Sequence, residues 1–141
     1  MKRYLCIILI LVLSTIVMNG SSNHRERFCD IFDLSIIVKS EVSRFKENHF
    51  QPIDNEAFLD AIKSSKEIVA KFIPHKEVIL YDENGNSFKL FFLEDNRIFH
   101  SDDGYFKLSK RNALLVSKLF KEVDPGLLYG EFYSIVQRFE T

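Results

Sequence analysis

The chain has 141 residues, 46% of them hydrophobic and 28% charged, with five Gly, three Pro and no Trp. That composition excludes a disordered or collagen-like chain, and the length excludes a multidomain enzyme, a repeat array or a multi-span membrane protein. Basic residues number 19 and acidic residues 20; setting aside Lys2 and Arg3 leaves 17 against 20, a net charge of -3. No run of basic residues stands out, so a nucleic-acid partner is not expected.

Met1-Lys2-Arg3 is a short positive start. An uncharged apolar stretch, residues 4–18, follows, and then Asn19-Gly20-Ser21-Ser22. Positive, apolar, then small is the order of a secretory signal peptide, with the cut placed before Asn23. The alternative is an uncleaved anchor through residues 4–18, oriented by Lys2 and Arg3. Either way residues 23–141 form one exported domain, periplasmic or extracellular, and any membrane contact is through that segment. A lipoprotein is rejected, because Cys6 precedes most of the apolar stretch and Cys29 follows the charged residues 24–27. Once the leader is removed only Cys29 remains, so no internal disulfide forms and the core alone must hold the domain.

In chain order, the apolar spacing of Phe28, Ile31, Phe32, Val38, Val42 and Phe45 predicts a helix over 26–46. Asp54 is the expected N-cap of a second helix. Its stripe is Phe58, Ala61, Ile62, Ser65, Ile68, Val69 and Phe72, closed by Pro74. The period then becomes strand-like. Residues 76–82 and 87–94 flank Asn84-Gly85, the pair preferred in a two-residue hairpin turn. That turn places Tyr81 opposite Phe88, Ile79 opposite Leu90 and Val78 opposite Phe91. Two short strands over 97–100 and 105–108 flank a turn at Gly104.

Ser109 is the expected N-cap of a third long helix carrying Leu114, Leu115, Leu119, Phe120 and Val123. Asp124-Pro125 opens a fourth, with Leu128, Phe132, Ile135, Val136 and Phe139. The fold class expected is α+β, ordered α-α-β-β-β-β-α-α, with the helices mainly on one face of a three- to four-stranded antiparallel meander.

Phosphate-cradling glycine loops, HExxH, GxSxG and CxxC motifs are absent, and no cofactor is expected. His24, His49, His75 and His100 lack a second His or Cys within four residues, so no metal site is expected. The order Cys29, His100, Asp102 matches the chain order of several cysteine hydrolases. The bulky neighbours of Cys29 and the adjacent Asp30 carboxylate argue against thiolate activation.

Five phenylalanines fall in the meander: Phe88, Phe91, Phe92, Phe99 and Phe106. Most belong in the core, and any left on an uncovered face would form an interaction surface. The function expected is therefore a small exported binding protein without catalysis. It would act on another protein as an inhibitor, an immunity-type factor or an accessory factor. A carrier or sensor of an apolar small molecule is the second reading, and the cysteine hydrolase the third.

Overall fold

A computed structural model describes residues 25–125. The expected leader and the expected helix after Pro125 lie outside the described residues. Within them the chain is α+β, with seven strands in one antiparallel sheet and three helices. The strands are β1 (Ile37–Arg44), β2 (Gln51–Ile53), β3 (Lys66–Ile68), β4 (Lys76–Asp82), β5 (Ser87–Phe92), β6 (Ile98–Ser101) and β7 (Gly104–Lys107). The helices are α1 (Phe28–Ile31), α2 (Asn55–Ile62) and α3 (Lys110–Val123). The sheet order is β2-β1-β4-β5-β6-β7-β3, so both edges are three-residue strands. Short edges limit strand-to-strand aggregation, and Pro52 blunts one further by lacking a donor.

The first expected helix is corrected. Only Phe28–Ile31 is α-helical; a 3-10 turn over Leu34–Ile36 follows and Ile37–Arg44 is a strand. Ile36, Ile37, Val38 and Val42 are β-branched and suit a pleated surface better than a helix. Seven residue pairs with β4, from Ile37↔Asp82 to Arg44↔Lys76, fix this strand in the sheet interior. The short α1 survives because its first donors are met from outside: Phe28 N–H reaches the Ser65 carbonyl at 2.8 Å and Cys29 N–H the Lys63 carbonyl at 3.0 Å.

The second helix begins where expected. Asp54 accepts from the Ala57 N–H at 3.1 Å, and Phe58, Ala61 and Ile62 are buried. It stops at Ile62, ten residues short of the expected end. Ser64-Ser65 favours backbone hydrogen bonds outside a helix, and Lys66–Ile68 pairs with β7 instead. Val69 is left fully exposed, and Phe72 packs on Tyr105 rather than on the core.

The hairpin register is also corrected, by one residue. Tyr81 faces Ser87, Leu80 faces Phe88, Val78 faces Leu90 and Lys76 faces Phe92. The loop holds three residues, Glu83-Asn84-Gly85, and among them only Gly85 has positive φ, at 81°. The two-residue turn needs positive φ at both central residues, whereas the three-residue form needs it at one. Asp82 fixes the longer loop by accepting from the Asn84 and Asn86 N–H groups, each at 2.9 Å. Hydrogen bonds from Asn86 hold the Asp82 carboxyl below its usual pKa.

The last expected strands and the turn between them are observed as β6 and β7, with Gly104 at φ 133°. Ser109 caps α3, accepting from the Asn112 N–H at 3.1 Å. Its buried stripe is Ala113, Val116 and Phe120, while Leu114 and Leu115 face solvent.

All three helices cover one sheet face, as expected. Phe28 of α1 meets Phe99 and Phe106 edge-on at 5.0 and 4.9 Å. Phe58 of α2 and Phe120 of α3 meet Phe92 at 5.9 and 5.5 Å. Val42, Val78, Leu80 and Leu90 complete this core. Interlocking rings bury large areas and add directional attraction. No helix among the described residues is long and apolar enough to cross a membrane.

Candidate functional site: the open sheet face

Side chains alternate along each strand, so the residues between the core positions share the opposite face. Among the described residues no helix covers it. Five rings line up across this face. Phe45, just past β1, meets Phe91 edge-on at 5.9 Å. Phe91 stacks on His100 at 6.3 Å, and His100 stacks on Tyr105 at 4.4 Å. Phe72, from the chain after β3, meets Tyr105 edge-on at 5.6 Å. All five are half-buried. The row follows from register: Phe91 faces His100, and His100 faces Tyr105, in adjacent antiparallel pairs.

Charged pairs border the row. Glu77 faces Phe91 across β4 and β5, and its nearly buried carboxylate takes Lys89 Nζ at 3.1 Å. Lys39 lies 2.7 Å from Glu41, whose hydrogen bond raises the lysine pKa. Tyr81 donates to Glu41 at 3.4 Å. The face therefore has an aromatic centre and a rim of mixed charge.

The geometry sorts possible ligands. In the middle of the row the ring faces are stacked on one another, leaving ring edges outward. A platform for sugars or bases needs free ring faces. Edges and half-exposed side chains beside ion pairs suit the apolar centre and polar rim of a protein contact.

The five phenylalanines expected as a possible surface are divided by the sheet. Phe92, Phe99 and Phe106 are fully buried in the core. Phe88 is half-buried on the same side, edge-on to Phe32 at 5.0 Å. Only Phe91 stands on the open face. Strand alternation is the reason, together with the one-residue shift of the hairpin. Phe45 and Phe72, expected on the stripes of the first two helices, belong to the row instead, as does Tyr105, which the sequence reading did not single out. The signal for Tyr105 was its place directly after the turn at Gly104, opposite His100.

Cys29, His100 and Asp102 are not brought together. Cys29 follows Phe28 on the helix side of the sheet, with its thiol 3.9 Å from the Asp30 carboxylate. His100 is on the other side, between Phe91 and Tyr105, and Asp102 is exposed in the β6–β7 turn. The sheet separates the thiol from the imidazole. Among the described residues no group of three or more His, Cys, Asp or Glu could hold a metal ion.

Among the described residues, Lys76 carries its charge into the core. Lys76 is 1% exposed, and its Nζ donates to the Glu94 carbonyl at 2.6 Å and to Asn96 Oδ1 at 2.8 Å. Asn96, itself fully buried, donates to Ser117 Oγ on α3 at 2.8 Å. Burial pushes the Lys76 pKa down to about 8. This network ties β4, the β5–β6 turn and α3 together, and its closure from solvent suits support rather than catalysis.

Phenylalanine rings and aliphatic side chains pack between helices and sheet. A concavity of about 780 Å³ is instead an open groove beside the N-terminus of α2, lined in part by Leu34, Ile37, Asn55 and Leu59. No family model, no curated protein and no solved structure matches the chain.

Proposed function

We propose that this is an exported, non-enzymatic binding protein that docks another protein on its open sheet face. It would serve as an inhibitor, an immunity-type factor or an accessory factor. The observation that supports this is the row Phe45, Phe91, His100, Tyr105 and Phe72, bordered by ion pairs. Export rests on the residue order of the first 22 positions. The partner chemistry that fits is an apolar protein patch ringed by both signs of charge.

The test compares wild type with a Phe91→Ser/Tyr105→Ser double variant in pull-downs from the matching extracytoplasmic extract. Wild type retains a partner at constant stoichiometry, and the folded double variant loses it. Equal retention by both proteins moves the contact off this face, and repeated recovery of no partner overturns the binding role.

A further inference from the structure

Four cations from four separate parts of the sequence meet in one groove of about 360 Å³. They are Arg25, Lys66 of β3, Arg97 just before β6, and Lys107 of β7. Ser109, the N-cap of the 14-residue helix α3, also lines it. Among the described residues no carboxylate does.

Three observations make this more than a basic surface. Lys66 and Lys107 are direct cross-strand partners, and like charges in that position destabilise a sheet. Among the described residues none of the four cations forms an ion pair, although six such pairs occur elsewhere. In addition, Arg97 Nε is buried without a hydrogen-bond acceptor among the described residues. A buried donor left unmatched is costly, and a bound anion is one way of matching it. The first turn of α3 adds favourable potential for negative charge.

We propose that this groove binds a multivalent oxyanion, a phosphate or sulfate group carried on a small organic molecule. Lys66 and Lys107 would sit on either side of the anion, turning a repulsive pair into a shared clamp, with Arg97 supplying the guanidinium contact. Ile68, also at the groove, offers apolar contact to the organic carrier. No ring of the partner-docking row lines the groove, although Ile68 faces Tyr105 of that row across β3 and β7.

The test titrates the full chain with inorganic pyrophosphate, inorganic phosphate and sulfate at constant ionic strength, followed by amide chemical shifts and calorimetry. The proposal expects saturable shifts at Lys66, Lys107 and Ser109, strongest with the ligand the site prefers. Affinity falls about tenfold or more in Lys66→Gln/Lys107→Gln and holds in Lys118→Gln, a control on the exposed side of α3. The charge-removed double variant should also melt at a higher temperature than wild type in low salt without ligand. Absence of saturable shifts with all three anions overturns the proposal. So does binding that the double variant and the control weaken equally.

Discussion

On the helix-covered face of the sheet, Phe92, Phe99 and Phe106 are fully buried and touch rings from α1, α2 and α3. On the other face, Phe91, His100 and Tyr105 touch one another and two rings from connecting segments, and all stay partly exposed. The same strands supply both sets at adjacent positions. What differs is the cover. Rings under helices lose their water and stabilise the fold, whereas rings left half in water contribute less and remain available to a partner.

The largest effect expected from breaking this contrast is in the core. Phe99→Ala removes a ring packed on Phe28, Phe92 and Phe106, and should cost about 3–5 kcal/mol in denaturant unfolding. Phe91→Ala on the open face should cost about 1 kcal/mol, the scale of a ring pair without full burial. Equal losses at the two positions would mean that the open face is covered like the core.

A pH experiment probes Lys76, buried on the covered face. The folded pKa of Lys76, about 8, lies below its ordinary value of 10.5. Between these values the unfolded chain binds more protons, so this group makes stability rise with pH across that window. Below about pH 8 both states are protonated and the burial cost is present in full. A neutral amine still has two N–H donors for the Glu94 carbonyl and Asn96 Oδ1, so both hydrogen bonds survive deprotonation. Lys76→Met should flatten the rise between about pH 8 and 10.5, measured by urea unfolding; an unchanged slope would assign it to other groups.

The smallest expected effect concerns the carboxylate next in sequence, on the open face. A double-mutant cycle on Glu77 and Lys89 should give a coupling of about 0.5 kcal/mol, because the lysine end of the pair is largely in water. A coupling several times larger would mean that this rim is shielded.

Three of the sequence expectations were legible because their signals are local. Asp54 and Ser109 cap their helices through their own hydroxyl or carboxyl oxygens, and Gly104 turns β6 into β7. The helix expected over 26–46 failed because apolar residues there recur at a spacing that also fits a short helix followed by a strand. Long-range pairing with β4 decided between them. The second helix was overextended for the same reason, since β7 captured Lys66–Ile68. The aromatic row was half legible: Phe91 and His100 were singled out, but for different roles, and nothing local links them to Phe45 or Phe72.

The chain by itself determined the α+β class and a phenylalanine-rich core, because composition, capping residues and turn glycines act over a few positions. Only the tertiary structure decided which phenylalanines are core and which face outward, since a one-residue change of register exchanges the faces. It alone also gathered Arg25, Lys66, Arg97 and Lys107. Scattered along the sequence they look like ordinary solvated charges, and only strand pairing beside the start of α3 makes them neighbours.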